Sequence, residues 1–164
     1  MSMAELDKQI KNCRKCRLWQ GAKNVVPGEG PSNAKVMLVG QNPGIEEDRT
    51  GKPFVGRSGK FLNAVLNKIG VEREELFVTN IVKHMTPKNR KPLPDETAAC
   101  VPYLVAQVSE IKPRIVVLMG AVACQAPRSQ GVAYVETYHP SAAMRFPKMR
   151  KKFEEDLRAS KERV

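Results

Sequence analysis

Four short apolar runs, two of them closed by glycine, are spaced along the chain with helical stretches between them: KVMLVG at 35–40, ELFVTNIV at 75–82, RIVVLMG at 114–120 and VAYVETY at 132–138. The first, closed by glycine, reads as a buried parallel strand, and the other three read as further strands. Between them, Phe61, Leu62, Val65, Leu66 and Ile69 recur at helical spacing, with Ser58 as the expected N-cap and Gly70 as the stop. A second helix is expected from Asp95 to about residue 111, and others over 4–11, in AVACQA after the third strand, and around Phe153 and Leu157. Strands alternating with helices predict an α/β fold, a three-layer α/β/α sandwich around a four-stranded, mostly parallel sheet. A chain of 164 residues fits one such domain, spanning 1–164. Three stretches read as loops: 17–33, the glycine-rich QNPGIEEDRTGKPFVGRSG at 41–59, and the proline-rich MTPKNRKPLPDE at 85–96. Loops this long in a compact domain usually carry function.

The net charge of +11 points to a polyanionic partner, nucleic acid before an anionic membrane surface. No apolar run approaches the ~18 residues of a membrane span, and the N-terminal MSMAELDKQIKNCRKC has no apolar signal region. A cytoplasmic, monomeric protein with no membrane partner is therefore expected. Disulfides are rare in that compartment, so the four cysteines read as metal ligands, reactive thiols or core fillers. In parallel sheets, ligands bind beyond the carboxyl ends of the strands. GQNPG, TN, GAVA and YHPSA stand there, so Gln41, Asn42, Asn80 and His139 are expected to converge.

Taken in order, CRKCRL, VPGEGP, GQNPG with EEDRTGKPFVGRSGKFLN, VTNIVK, NRKPLPDE with Cys100, VVLMGAVA and HPSAAMR resemble the uracil-DNA glycosylases of the iron–sulfur branch, family 4 and its relatives. The resemblance implies removal of uracil from DNA, leaving an abasic site, and a structural 4Fe–4S cluster. Cys13 and Cys16 match the family's C-x2-C pair and Cys100 its last ligand, while His84 stands where family 4 has a third cysteine. Three thiolates and an imidazole suit such a cluster, and the same four could hold zinc. Cys124 reads as a core residue and the reserve ligand.

A glycosylase must flip the nucleotide into a pocket. By resemblance, Phe54 stacks on the base, the Asn80 amide pairs with the uracil edge, and His139 donates to O2. Gly40 and Glu47 fall at substrate-contacting positions, Glu47 near uracil C5, whereas Glu46 and Asp48 read as solvated or loop-capping. GQNPG departs from family 4, which has Glu and a small residue at positions 41 and 42. The mismatch-specific branch has Asn at the position of Asn42, orienting the attacking water, and that role is expected here, with Gln41 lining the pocket through its backbone. Ser141 is expected on a DNA phosphate and Met144 or Arg145 as the wedge in the vacated stack. Arg57, Lys60, Lys83, Lys88, Arg90, Lys91, Arg145 and Lys148 are expected around the mouth. Two other readings remain at this point. One is a covalent uracil-DNA trap, although the chain has only two histidines, His84 and His139, and no basic insert. The other is a non-catalytic iron–sulfur module that binds nucleic acid.

Overall fold

The computed structural model describes residues 1–164. In chain order its elements are α1 (Met3–Lys11), β1 (Val36–Gly40), α2 (Ile45–Thr50), α3 (Arg57–Lys68), β2 (Phe77–Asn80), α4 (Pro94–Ile111), β3 (Ile115–Met119), β4 (Ala133–Thr137), α5 (Pro140–Arg145) and α6 (Pro147–Glu162). The strands form one sheet in the order β2-β1-β3-β4, and every pairing is parallel.

The period-two alternation of strand side chains divides the core into two layers. Met37, Val39, Phe77, Val116 and Leu118 pack against Leu6 and Ile10 of α1 and Tyr103, Leu104, Val108 and Ile111 of α4. Their neighbours Leu38, Val78, Ile115, Val117 and Met119 face Leu62, Val65 and Leu66 of α3 and Phe153 and Leu157 of α6. The three-layer sandwich expected from the strand pattern is the observed architecture. No helix is long and apolar enough to cross a membrane.

Several local expectations are corrected. The segment 41–59 is not all loop. Glu46, Glu47 and Asp48 fill the first turn of α2, where carboxylates favour a helix N-terminus, and Gly51 ends it in the left-handed region at φ 75°. Ser58 is not a cap, because α3 starts two residues earlier than that cap would allow, at Arg57 from an extended Gly56. Asp95 does not open α4 either. Pro94 takes its first position, and Glu96 folds back to accept the Leu93 amide at 2.9 Å. AVACQA forms only one 3-10 turn, Ala123–Gln125, so β3 reaches β4 without a covering helix.

The topology fixes where a ligand can sit. The chain leaves β1 toward β2 on one side, and returns to β3 on the other. The loops after β1 and β3 therefore part at the carboxyl end of the sheet and leave a crevice.

Candidate active site

A cavity of about 430 Å³ occupies that crevice, with Gln41, Asn42, Glu47, Phe54, Asn80, Tyr138, His139 and Ser141 among its walls. A larger one, about 560 Å³, lies at the opposite ends of the strands between α3 and α6 and is mostly aliphatic. The smaller cavity is the chemically equipped one, because amides, a carboxylate and an imidazole meet there.

Asn80 closes β2 and is buried at 2% exposure. Its register partner is Gly40. A Cβ on Gly40 would stand 2.6 Å from Asn80 Oδ1 and 2.5 Å from the Phe54 ring, so only glycine lets these two side chains approach the sheet end. Asn80 Oδ1 is buried, and no protein group donates to it. An acceptor left unpaired in a protein interior costs about 1–3 kcal/mol. Phe54 is 5% exposed and sits at φ 49°, a left-handed conformation that costs a bulky residue about 1–3 kcal/mol. Its ring centroid lies 5.9 Å from that of His139.

His139 caps α5. Its Nδ1 accepts the Ser141 amide at 3.1 Å, with Ser141 Oγ at 2.8 Å from the same nitrogen. A backbone N–H only donates, so in the neutral ring Nδ1 is bare and Nε2 carries the proton. Burial pushes the imidazole pKa down to about 4, and the ring is neutral near pH 7.

The Asn42 amide is oriented on both sides. Nδ2 donates to Pro43 O at 3.0 Å and Asn89 Oδ1 at 3.2 Å, and Oδ1 accepts from Gln41 Nε2 at 3.0 Å. Gln41 thus acts through its side chain as well as its backbone, whose carbonyl accepts the Val82 amide at 3.0 Å. Glu47 lines the cavity, but its oxygens are engaged: Oε1 accepts Gly44 N at 2.9 Å, and Oε2 accepts Val55 N and Gly56 N at 2.8 and 2.6 Å. It staples both ends of the loop carrying Phe54. Asp48 is buried and accepts the Lys23 and Asn24 amides, while Glu46 pairs with Arg49 at the surface.

Of the residues expected around the mouth, Arg57, Lys60, Lys88, Lys91, Arg145 and Lys148 are exposed, Met144 is half-buried, and Lys91 lines the cavity. Two expected members are not available there. Lys83 is 1% exposed and donates at 2.7 Å to each of Thr79 Oγ1, Asn80 O and Gln107 Oε1. The side chain turns inward because three acceptors await it, and desolvation pushes its pKa down to about 7. Arg90 is held by Glu96 through two bonds of 2.8 and 2.9 Å. Sequence reasoning missed Asn89 and Tyr138, both in the cavity wall, and Ile45, 73% exposed beside the wall residue Gly44. An apolar residue directly after GQNPG, in an otherwise charged helix, was the available signal for Ile45.

Away from the cavity, Cys13 and Cys16 lie in the turn after α1 and pack on the core layer that contains Cys100 of α4. Cys100 Sγ accepts the Lys83 amide at 3.3 Å. Burial pushes its thiol up to about 11, and the nearby Cys13 and Cys16 add to the shift. His84 is 7% exposed and shares a small cavity, about 200 Å³, with Cys13. No three His, Cys, Asp or Glu side chains converge closely enough for a single metal ion. Cys124 packs elsewhere on the same core layer, with its Sγ 3.8 Å from Leu118 O.

Comparison with known proteins follows the same lines. The family model for the uracil DNA glycosylase superfamily matches residues 27–159. The type-4 uracil-DNA glycosylase of Saccharolobus solfataricus is 40% identical over 178 residues, covering 94% of this chain and 82% of that protein. That of Pyrobaculum aerophilum is 40% identical over 181 residues, covering 96% and 92%. That of Thermotoga maritima is 43% identical over 121 residues, covering 74% and 63%. The matched span runs from the loop before β1 into α6 and takes in every wall of the cavity at the sheet's carboxyl end, so the chain belongs to the uracil DNA glycosylase superfamily.

Proposed function

We propose that this chain is a DNA-repair glycosylase that hydrolyses the bond between uracil and deoxyribose in DNA and leaves an abasic site. The observation that carries the reading is the buried, unpaired Oδ1 of Asn80 at the floor of a cavity walled by Phe54 and His139. Uracil presents adjacent N3–H and O4, which match the amide's acceptor and donor. Cytosine presents a bare N3 and an amino group, which reverses the pattern, so a site built around this amide rejects it by leaving buried groups unpaired. Phe54 supplies the stacking face for the flipped base.

Bond breaking leaves the electron pair on the base and oxocarbenium character on the sugar. The Nε2–H of His139 donates to O2, where the negative charge grows. Because the ring is neutral, it acts as a fixed dipole and transfers no proton. Asn42 Oδ1 accepts from the attacking water and aims it at the sugar carbon. An amide is too weak a base to ionise that water, so the water adds to the oxocarbenium carbon and then loses its proton to solvent, while the base leaves as the uracil anion, and catalysis rests on orientation and electrostatics. Gln41 holds the Asn42 amide. The exposed cations at the mouth take phosphates, and Ser141 serves both His139 and the backbone of the bound DNA.

Cys13, Cys16, His84 and Cys100 are assigned to a 4Fe–4S cluster. A cluster spreads its ligands over four irons, which suits three cysteines from two elements on one core layer. Its contribution is a cross-link between the N-terminal turn and α4, in a chain that works as a single-domain monomer.

A uracil-containing oligonucleotide tests the reading. Free uracil released with turnover is the expected result. Binding without release would instead make the chain a nucleic-acid-binding module, and a covalent adduct would make it a trap.

A further inference from the structure

We infer that Arg73 is a positioning residue that holds Phe54 in place for the base, an inference that rests on Phe54 being the stacking platform. Arg73 is not in the cavity wall. It opens the 3-10 turn Arg73–Glu75 ahead of β2, yet its guanidinium reaches back to the loop that carries Phe54. Nη1 donates to Phe54 O and to Asn63 Oδ1, both at 2.8 Å, and Nη2 donates to Pro53 O at 2.6 Å. The two carbonyls are consecutive, and the planar fork meets them through two nitrogens in a fixed geometry that an ammonium's single nitrogen does not impose.

The partners are unusual for a surface brace. All three acceptors are neutral, and no carboxylate lies within ion-pair distance of Arg73. Burial lowers its pKa, while Glu29, Glu74 and Glu47 act on it only through space. A half-buried charge is thus committed to two peptide carbonyls and the amide of Asn63. The peptide it grips is the one that needs gripping, since Phe54 stands in the left-handed region. From the other side, Gly59 lets α3 press on the same group: a Cβ there would lie 1.9 Å from Phe54 O. The carbonyl is therefore pinned between the first turn of α3 and the guanidinium, and the ring's direction follows from the peptide's.

The test is a double-mutant cycle on the affinity for free uracil, read alongside DNA affinity at fixed salt and thermal stability. Arg73→Ala should weaken uracil binding about tenfold, the same order as Phe54→Ala, with DNA affinity unchanged. In the Phe54→Ala background, Arg73→Ala should add less than about twofold, because one residue acts through the other. Arg73→Lys should fall between parent and alanine. A purely structural brace would lower the melting temperature and multiply independently with Phe54→Ala, and that result overturns the inference. If Arg73→Ala does not fold, Asn63→Ala, which frees one arm of the guanidinium, replaces it in the cycle under the same criteria. Parent affinity in Arg73→Ala beside weak binding in Phe54→Ala sinks the clamp alone. Parent affinity in Phe54→Ala sinks the platform reading and the clamp with it.

Discussion

His139 and Asn42 are both fixed by neighbours that have no chemistry of their own. The Ser141 amide leaves His139 with its proton on Nε2, and three contacts orient Asn42. Removing a well-placed donor of this kind costs about 100- to 1000-fold in rate. His139→Ala should lose that much in single-turnover excision while DNA affinity stays at the parent value. Because burial puts the folded pKa near 4, below the ordinary 6.5, the ring stays neutral from pH 8 down to about 5. The excision rate should show no titration near 6.5, and a clear inflection there in a single-turnover pH profile would contradict the buried imidazole. The sign for stability is the reverse of a salt-bridged histidine: the unfolded chain takes the proton first, so the contribution of His139 is intact above 6.5 and declines as pH falls toward 4. For Asn42, alanine should slow excision and aspartate should hold or raise the rate, since a carboxylate can act as a base. The convergence of Gln41, Asn42, Asn80 and His139 was legible in the sequence, because strand ends in a parallel sheet face one crevice. The inward turn of Lys83 was not, since a lysine in the run VTNIVK reveals no acceptors until Thr79, Asn80 and Gln107 are folded around it.

The helices and loops show where local pattern decides structure and where a distant partner does. The strands and the long helices α3, α4 and α6 follow from the sequence pattern. Helix α2 does not, because its carboxylates are explained by amides they meet across the loop: Glu47 reaches Val55 and Gly56, and Asp48 reaches Lys23 and Asn24. The start of α4 is a similar junction. Glu96, with no side-chain exposure, ties Arg90 of the proline-rich loop and Arg17 of the cysteine turn to one helix end. Hydrogen bonds from Arg90, foremost, hold its carboxyl down to about 2. A depressed carboxyl stabilises the fold above its unfolded value and loses that effect as pH falls, here between about 4.5 and 2. Glu96→Gln should therefore lower stability by about 2 kcal/mol at neutral pH, and the difference from the parent should shrink in acid unfolding curves across that window. His84→Ala should lose iron and melt lower, whereas Cys124→Ser should keep its iron. Metal analysis of the purified variants decides between them.

Of the cations behind the charge of +11, Lys91 lines the cavity and Arg57 and Lys88 stand next to the wall residues Ser58 and Asn89, while the interior Lys83 takes no part in the surface field. DNA affinity should fall steeply with salt, and each phosphate-contacting cation removed, such as Arg57→Ala or Lys88→Ala, should flatten the log–log slope by about 0.7 on single strands. Lys83→Met should leave that slope unchanged. Every strand pairing in this molecule is parallel, and the register joins Val36 to Ile115 and Met37 to Phe77. No pairing can form as a local hairpin, so each one waits for a crossover to close, which slows folding. The cavity draws its walls from the ends of β1, β2, β3 and β4. A half-assembled chain therefore owns no part of a working pocket, and on refolding from denaturant the excision activity should return in the same slow phase as the sheet, with no earlier active species.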